Sequence, residues 1–407
     1  MGSDWKKELD HEIDQGLTEM VSIRRHLHIC PEVSGQETRT TQYLRDVLAG
    51  KGLAVQVAPD GCGLMAEPRD QESGLRVALR ADMDALRIQD LKDVAYRSQI
   101  PGVMHACGHD AHTAVVMGAM SGLARAGAAG ALPWPVLWRG ILQPAEEIGT
   151  GAQSMIAAGA LENVRSILTV HVDPSLDVGK IGLRTGIMTA ACDWLEVRIA
   201  GRGGHAARPH ESRDPIAAAA QMITSMYLFV PRAIDSHQPV VLTIGQILAG
   251  DNPNVIPESA VLRGTLRTLG GPVRAQTKDH LRQLARGIAE TSGTSIDVEF
   301  QPGPDSVVND SDLADLIRGV GKEFLGTDHV VELSRPSMGG EDFAAYGELT
   351  RACMFRLGSR SGAASGHPLH SPMFDVDENS LAIGAKLLGR AVVQESDPDQ
   401  RLGKEVR

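Results

Sequence analysis

LRVALRADMDAL, residues 75–86, begins as an apolar strand and ends with two carboxylates. Two more apolar runs of the same kind follow, VLWRGILQ (136–143) and SILTVHV (166–172). Between the first two runs lies DAHTAVVMGAMSGLARAG (110–127), a helix-like segment with small and apolar residues over much of its surface. Apolar strands that alternate with helices are typical of a mostly parallel sheet with helices on both faces. The sequence therefore predicts an α/β fold, preceded by a helix-like segment at residues 4–28.

From about residue 191 the pattern changes to a second, smaller set of elements. The segments read strand, helix, strand, strand, helix, strand, in the runs DWLEVRIAG, DPIAAAAQMITSMYLFV, PVVLTIGQIL, SAVLRGTLRTL, PVRAQTKDHLRQLARGIAETSG and SIDVEF. This βαββαβ order predicts an inserted ferredoxin-like domain. We expect a first α/β segment at residues 1–190, the inserted domain at 191–305, and a second α/β segment at 306–407.

The composition restricts the classes of function. The chain has 407 residues, of which 42% are hydrophobic and 22% charged, as expected for a globular protein of two domains. The net charge is −11 and no lysine and arginine cluster is present, so no nucleic-acid partner is expected. No apolar run reaches the roughly 18 residues that span a bilayer, so no membrane association is expected. Five scattered cysteines and a charged N-terminus without a secretory signal predict a cytoplasmic protein.

The segment MHACGHDAHT (104–113) concentrates metal-binding side chains at the start of a predicted helix. Cys107 and His109 are two residues apart on either side of a glycine, so both can face one centre. A thiolate with an imidazole suits Zn²⁺ or a similar transition ion better than Mg²⁺ or Ca²⁺. Taken alone, the pair fits a buried cysteine and a helix-capping histidine equally well. Asp110 and His112 either cap the helix or orient the ligands.

Carboxylates follow two of the predicted strands. Asp82 and Asp84 end the first strand, and Glu146 and Glu147 follow the second after a proline. Open parallel sheets bind ligands beyond the C-terminal ends of their strands, so these side chains are candidates for one site. Adjacent glutamates allow one to bind a cation while the other acts as a base, as metal-assisted hydrolysis requires. A solvated helix start is the alternative interpretation of the glutamate pair.

Three further segments supply candidate residues. His171 ends the third apolar run, where it is either a ligand or a core histidine. The loop GHPLHSPMF offers His367 and His370, either of which could complete the site. SMGGEDFAAY predicts a helix N-terminus that receives a carboxylate or an oxyanion, or one that is merely capped by Glu341 or Asp342.

The chain as a whole resembles the dinuclear-metal amidohydrolase family of metallopeptidases, which includes aminoacylases, hippurate hydrolases and auxin–amino-acid conjugate hydrolases. The motifs that carry the resemblance run in order along nearly the whole chain: RRHLH, LRADMDAL, MHACGHDAHT, LQPAEE, GRGGHAARPH, NVIP, GTLRT, GGEDFA and LHSPMFDVDE. The resemblance implies a catalytic α/β domain that holds two divalent metal ions. It also implies that the inserted domain dimerises and acts as a lid.

The resemblance further implies roles for individual residues. The expected metal ligands are Cys107, His109, Glu147, His171 and His370. Glu146 is the expected general base, and Asp84 is expected to orient a ligand or tune its charge. His205, Asn254 and Arg267 of the inserted domain are expected to contact the substrate, Arg267 at its carboxylate. His205 is expected to act at the partner subunit's metals.

Two positions depart from the family pattern. Cys30 stands where histidine is common, and Arg87 stands where proline is usual. Neither is an expected ligand, so the predicted chemistry is unchanged. Arg87 either alters the substrate preference or is an ordinary surface arginine.

These observations predict an enzyme, a metal-dependent amidohydrolase that splits small-molecule N-acyl amino acids into a carboxylic acid and an amino acid. A dipeptidase or carboxypeptidase with the same dinuclear site is one alternative, and a non-catalytic metal-binding protein is another. Two ions of zinc or manganese are expected in each subunit, with cobalt or nickel as alternatives. We expect a homodimer or a larger homo-oligomer.

Overall fold

The computed structural model describes residues 4–71 and 73–399, which form two compact units. The main unit comprises the described residues up to Gly186, Val308–Arg335, and the described residues from Asp342 onward. The inserted unit comprises Ile187–Val307 and Pro336–Glu341. The sequence predicts boundaries after residues 190 and 305, and it does not predict that Pro336–Glu341 joins the inserted unit.

An eight-stranded mixed sheet forms the centre of the main unit. Its strands, in spatial order, are Leu53–Val57, Leu64–Pro68, Trp138–Gln143, Arg76–Asp82, Val164–Asp177, Arg351–Arg360, Ile181–Leu183 and Val330–Glu332. The four strands from Trp138–Gln143 to Arg351–Arg360 are mutually parallel, and two of them, Trp138–Gln143 and Arg76–Asp82, are almost entirely buried. Their apolar sequences follow from this burial, because helices cover both faces of a parallel sheet.

Helices of the main unit pack around this sheet. They are Trp5–Gln15, Leu17–Ile29, Thr38–Gly50, His109–Ala128, Gly151–Ala157, Ser311–Leu325, Ala344–Gly347 and Asn379–Glu395, with a 3₁₀ turn at Thr327–His329. The helix-like pattern at residues 4–28 is two helices rather than one, because the first ends at Gly16. Glycine is a poor residue for a helix interior, so the break occurs there.

The helix His109–Ala128 carries the candidate metal site at its first residue and is buried over nearly its whole length. Its glycines allow close packing, since a Cβ added at Gly118 would lie 2.0 Å from the Met20 sulfur. A helix that is apolar and small on all sides is stable only inside a core. Its N-terminal end is therefore fixed by packing along the entire helix.

The inserted unit has the predicted βαββαβ order. Its strands Val240–Ala249, Ser259–Thr268, Ala191–Ala200 and Ser295–Pro302 form, in this spatial order, a sheet in which all neighbours are antiparallel. The helices Pro215–Ala233 and Gly271–Ser292 share one hydrophobic cluster with these strands. Its shorter elements are Gly204–His205, Val255–Ile256 and a 3₁₀ turn at Pro209–Glu211.

Two-residue strands at Gly186–Ile187 and Val308–Asn309 complete the elements. The predicted fold class, an α/β protein with a ferredoxin-like insertion, is confirmed. Within residues 4–71 and 73–399, no helix is both long enough and apolar enough to cross a membrane.

Candidate metal centre

The ends of two parallel strands bring the predicted carboxylates to one edge of the sheet. Asp82 is paired with Gln143 in the register of these strands, so the residues that follow each strand are neighbours. Asp84 and the pair Glu146–Glu147 therefore emerge together. Glu146 is buried and Glu147 is only 13% exposed at its side chain, so the interpretation of the pair as a solvated helix start is wrong.

His171 is not at a strand end, as the sequence suggested, because its strand continues to Asp177. The strand Arg351–Arg360 pairs with it over this extra length, whereas pairing with the strand Arg76–Asp82 stops at Thr169. His171 therefore lies two residues past the last paired residue, level with Asp82 at the end of the neighbouring strand. The other candidate residues converge at that end.

Cys107 and His109 face the same point because of the residue between them. Gly108 has a φ of +89°, a conformation that residues with a Cβ rarely adopt, and a Cβ there would lie 2.4 Å from Val172 Cγ2. The Cys107 sulfur, a His109 nitrogen and a Glu147 oxygen all lie within 4.8 Å of one another. Cys107 and His109 lie at the start of the helix His109–Ala128, and Glu147 lies in the turn after the strand Trp138–Gln143.

Hydrogen bonds determine which ring nitrogen each histidine presents. The Nδ1–H of His109 donates to Asp84 Oδ1 over 3.0 Å, which leaves the lone pair on Nε2. His171 donates from Nδ1 to the Val172 carbonyl over 2.8 Å, and its Nε2 lies 3.6 Å from the Cys107 sulfur. Both rings thus direct a free lone pair toward the same centre, as metal-binding histidines do.

His370 reaches the centre from the far end of the sequence. Its backbone N–H donates to the Ala106 carbonyl over 2.8 Å, and its φ is +64°. Its Nε2 lies 3.5 Å from Glu147 Oε1, while its side chain remains 52% exposed. The structure therefore brings all five predicted ligands together, and His370 is the most accessible of them.

Asp82 and His112 lie beside the centre, with donor atoms within 4.8 Å of each other and of His109, but hydrogen bonds already occupy them. His112 donates from Nδ1 to Asp82 Oδ1 over 2.6 Å, and its Nε2 accepts the Val172 N–H over 2.9 Å. Asp82 also receives a hydrogen bond from Arg80. Asp110 does not cap its helix with its side chain, because it binds Arg24 and His28. Neither side chain therefore caps the helix, and their hydrogen bonds go to residues other than the expected ligands, although Val172, which donates to His112, accepts a hydrogen bond from the expected ligand His171.

Buried polar atoms show that these residues fit a cation. His109 Nε2 and Glu147 Oε1 are 3.8 Å apart, and neither has a hydrogen-bond partner among the residues that the structure describes. Burial opposes a charge on His109, but Asp82 and its other neighbours outweigh burial and raise its pKa well above the ordinary value. The negative surroundings that favour a proton on Nε2 would equally favour a divalent ion in place of that proton, and such an ion would pair both atoms.

Glu146 lies next to this cluster. Its Oε2 is 3.8 Å from His109 Nε2, and its carbonyl accepts the Gly149 N–H within a tight turn. The segment GGED is not the predicted helix N-terminus, and neither Glu341 nor Asp342 caps the short helix that follows. This helix starts only at Ala344 and has four residues, and the Asp342 carboxylate is taken by Arg80, Gln143 and the Ala152 N–H.

Of the three predicted substrate residues of the inserted unit, His205 and Asn254 are exposed and Arg267 is partly buried. His205 pairs with Val255 in a two-residue ladder, and the Ala206 N–H donates to the Asn254 carbonyl, so His205 and Asn254 are neighbours. Arg267 lies elsewhere in the unit, where its Nη1 donates to the Met338 carbonyl over 3.0 Å.

Of the two departures from the family pattern, Arg87 is exposed and Cys30 is partly buried.

Arg356 is a residue near the centre that the sequence analysis missed. It is paired with His171 in the register of two parallel strands, so both side chains leave the same face of the sheet about 4.8 Å apart. Burial and the Arg356 charge together hold the pKa of His171 well below its usual value. None of the described residues forms an ion pair or hydrogen bond with the Arg356 guanidinium. Its sequence signal is an arginine inside the apolar run CMFRLG.

Comparison with known proteins agrees with this geometry. The model of Peptidase family M20/M25/M40 matches residues 78–394. An N-acyl-L-amino acid amidohydrolase from Geobacillus stearothermophilus is 37% identical over 75% of this chain and 81% of its own length. A thermostable carboxypeptidase 2 from Saccharolobus solfataricus is 33% identical over 94% of this chain and 96% of its own length.

A solved structure extends the similarity to three dimensions. The YXEP protein of Bacillus subtilis, described as a dinuclear metal binding peptidase from the M20 family, is 32% identical with a TM-score of 0.81. The alignment covers 94% of this chain and 99% of that protein. The family match over residues 78–394 includes the segments that carry all five converging side chains, and the chain belongs to the peptidase family M20/M25/M40.

Proposed function

We propose that this member of the family is an amidohydrolase that cleaves N-acyl amino acids into a carboxylic acid and an amino acid. The observation that carries the proposal is the buried cluster of Cys107, His109 and Glu147, with Glu146 beside it. A buried carboxylate next to a complete set of donors is what a metal-assisted hydrolase requires for proton transfer. The amidohydrolase relative from Geobacillus stearothermophilus supports this choice of substrate.

The proposed ligands are Cys107, His109, Glu147, His171 and His370, which would hold two divalent ions. Zinc or manganese is the proposed metal, with cobalt or nickel as alternatives, because thiolate and imidazole donors favour transition ions. Such ions, when bound, polarise a carbonyl and lower the pKa of water to about 7. Asp84 fixes His109 in the tautomer that presents Nε2.

Glu146 is the proposed general base. Its carboxylate accepts a proton from the attacking water and passes that proton to the leaving amide nitrogen, so the amine departs neutral. Proximity supports this role, since its Oε2 lies 3.8 Å from a predicted ligand atom without being needed as a ligand. Burial of Glu146 also keeps bulk water from competing for the proton.

His205 is proposed to stabilise the oxyanion of the tetrahedral intermediate. The Ala207 N–H donates to its Nδ1 over 3.1 Å, so the neutral ring carries its proton on the exposed Nε2. An exposed Nε2–H is the donor that an oxyanion needs. We propose that the partner subunit's His205 serves each site, with Asn254 beside it contacting the substrate.

A homodimer is proposed through the inserted unit. The strand Val240–Ala249 is at the edge of its sheet, and Ile247 and Leu248 on it are 57% and 46% exposed. Apolar side chains on a long free edge are typical of a surface that pairs with another chain. Phe229 and Leu228 on the adjoining helix add to the exposed apolar surface.

The substrate carboxylate is proposed to bind arginine. Arg267 already donates one hydrogen bond to a carbonyl and keeps further N–H groups for a ligand. Arg356 supports the same substrate class, because a guanidinium that lies beside His171 and pairs with none of the described residues is suited to an anionic group. A cytoplasmic location remains our proposal, and the absence of disulfides among the five cysteines, all of them described, agrees with it.

A carboxypeptidase or dipeptidase that acts on a free amine is the second candidate, favoured by the Saccharolobus solfataricus relative. A hydrolysis screen separates the candidates. Metal-free protein is reloaded with Zn²⁺, Mn²⁺, Co²⁺ or Ni²⁺ and supplied with acetyl, benzoyl, indoleacetyl and long-chain acyl derivatives of several amino acids, and with the matching dipeptides. We expect the N-acyl compounds to be cleaved faster. Faster cleavage of dipeptides would favour the second candidate, and no cleavage by any loaded form would favour a non-catalytic metal-binding protein.

Arg356→Met provides a control within the same screen. Each N-acyl amino acid is compared with its C-terminal amide, which lacks the charge. The wild type should prefer the acid, and the variant should lose much of this preference. An unchanged preference would remove Arg356 from the proposed carboxylate site.

A further inference from the structure

The turn that carries Glu146 and Glu147 begins with an unfavourable backbone conformation. Ala145 has a φ of +55°, in the left-handed region that residues with a Cβ rarely occupy. Its carbonyl accepts the N–H groups of Thr150 and Gly151 over 3.3 and 3.2 Å. Such a conformation persists only where surrounding contacts hold it, so the contacts of Ala145 decide the direction of the next two residues.

Glu37 supplies the remaining contact of Ala145. Its Oε1 accepts the Ala145 N–H over 2.8 Å, and the Glu37 side chain is completely buried. Glu37 stands at the start of the helix Thr38–Gly50 but does not cap this helix with its side chain. The carboxyl group is thus directed away from its own helix and toward the turn of the glutamate pair.

A second carboxylate, that of Asp84, accepts a hydrogen bond from the same turn, one residue after Glu146. Asp84 Oδ2 accepts the Glu147 N–H over 3.0 Å, while Asp84 Oδ1 accepts from His109. The N–H groups on either side of Glu146 are therefore held by carboxylates from two different parts of the chain. Because Thr150 and Gly151 also hold the Ala145 carbonyl, the backbone on both sides of Glu146 is fixed, and with it the direction in which the Glu146 side chain leaves the backbone.

Glu37 is buried at a cost in free energy, which indicates that its contact with Ala145 serves the site. Burial, with a contribution from Asp84, raises the pKa of Glu37 to about 7, so the fold keeps an acid where its charge is disfavoured. The second oxygen, Oε2, has no hydrogen-bond partner among the described residues. Among the described residues, the strongest hydrogen bond of the Glu37 carboxyl group is the one from the Ala145 N–H, and the backbone of Gly35 and of Glu37 itself contributes less.

We propose that Glu37 is a positioning residue, which orients the base Glu146 and the ligand Glu147 through the Ala145 N–H. The inference rests on the proposed function only in the roles given to these two glutamates. Loss of the hydrogen bond should misdirect both side chains. The substrate surface is unchanged, so kcat and the metal affinity should fall while KM stays constant.

Two substitutions separate positioning from general damage. Glu37→Gln keeps an oxygen that accepts the Ala145 N–H, and Glu37→Met has a similar volume without an acceptor. Glu395→Met is the control, because Glu395 is also a buried glutamate of the main unit but bonds Ser166 and Arg351. We expect Glu37→Met to lower kcat and Zn²⁺ affinity by roughly 10–100-fold, and Glu37→Gln to stay near the wild type. The control should lower only the thermal midpoint.

A rescue variant tests the backbone argument directly. Glycine adopts a positive φ without strain, so Ala145→Gly should restore part of the activity when combined with Glu37→Met. Zn²⁺ affinity, measured by calorimetric titration of metal-free protein, gives a readout that does not depend on the substrate. If the wild type binds zinc but cleaves nothing, the proposed function fails while this comparison still judges Glu37.

Three results would overturn the inference. The first is that Glu37→Met behaves like Glu395→Met, with unchanged kcat and Zn²⁺ affinity. The second is that Glu37→Gln is as damaged as Glu37→Met, which would assign the effect to the acid itself rather than to the hydrogen bond. The third is that adding Ala145→Gly to Glu37→Met restores no activity.

Discussion

The proposed metal ligands of the main unit and the proposed substrate residues of the inserted unit differ in how completely their own unit surrounds them. Cys107 and His109 are buried, and His109 has its tautomer fixed by Asp84. His205 and Asn254 are exposed and are held by a two-residue ladder. A group that needs a precise direction is best placed on rigid elements, whereas a group that meets the substrate last is best left accessible. The contrast predicts that substitutions in the two regions fail in different ways.

The largest effect is expected for the base. Glu146→Gln keeps the shape of the side chain but cannot accept a proton, so kcat should fall by roughly 10²–10⁴ while the metal content remains near that of the wild type. Metal analysis and kinetics on one preparation decide the outcome, with the exposed Glu348→Gln as control. Loss of an ion together with the activity would identify Glu146 as a ligand and would contradict its assignment as the base.

The next effect tests whether the exposed region is completed by another subunit. His205→Ala should lower kcat by roughly 10²–10³, the typical cost of losing one oxyanion donor. Refolding His205→Ala together with Glu146→Gln makes about half of the dimers mixed, each with one intact site, so activity should return to about a quarter of the wild type. A mixture as inactive as its parents, with subunit exchange verified by a tag, would place His205 at the site of its own chain.

A smaller effect is expected where the main unit orients a ligand. Asp84 accepts hydrogen bonds from His109 and from the Glu147 N–H on separate oxygens. Asp84→Asn replaces one oxygen by an amide that donates, so one of the two donors loses its acceptor. The affinity for Zn²⁺ should fall by roughly 10–100-fold, measured by competition with a chelating dye. An affinity equal to that of the exposed Asp279→Asn control would show that the ligands need no such support.

The smallest effect separates stability from function within the main unit. Asp310 caps the helix Ser311–Leu325 through the Leu313 N–H and forms an ion pair with Arg351. Burial alone would raise the pKa of Asp310, but its hydrogen bonds, chiefly the one from Arg351, outweigh burial and lower it. Asp310→Ala should reduce the free energy of unfolding by about 1 kcal/mol at pH 7 and leave kcat unchanged.

The pH dependence of this difference follows from the lowered pKa. The charge of Asp310 stabilises the fold fully above the unfolded-state pKa of about 3.9, and this contribution is lost as the pH falls through the lower folded-state value. Denaturation at pH 7 and again in acid should therefore show the wild type and Asp310→Ala converging as the pH falls. A difference that grew in acid would contradict the assignment.

The elements of the fold were predictable because their signals are local. The alternating pattern of a strand, or the small apolar residues of a buried helix such as His109–Ala128, can be recognised within about a dozen residues of sequence. The length of the strand that contains His171 was not predictable. It continues past the strand Arg76–Asp82 because it pairs with Arg351–Arg360, which lies far along the chain. Pairing between distant segments leaves no mark in the local pattern.

The candidate site shows the same division between local and distant information. The types of the donor residues were visible in short motifs. Their hydrogen-bond partners were not visible. The Val172 carbonyl accepts a hydrogen bond from His171, and the Val172 N–H donates to His112. Glu37 accepts the Ala145 N–H from over a hundred residues away in the sequence. The role of each histidine depends on which of its nitrogens is already occupied, and only the folded chain determines this.

Gly108 gives the candidate centre the properties of a chelate. Cys107 and His109 are separated by this single residue, whose φ of +89° and missing Cβ allow both side chains to face one point. Once one donor holds an ion, the other is delivered at a very high effective concentration, because hardly any chain entropy is left to lose. Any residue larger than glycine would be pushed against Val172 and would force the two donors apart. The smallest residue in the segment therefore governs how long an ion stays bound there, although it contributes no atom to the binding.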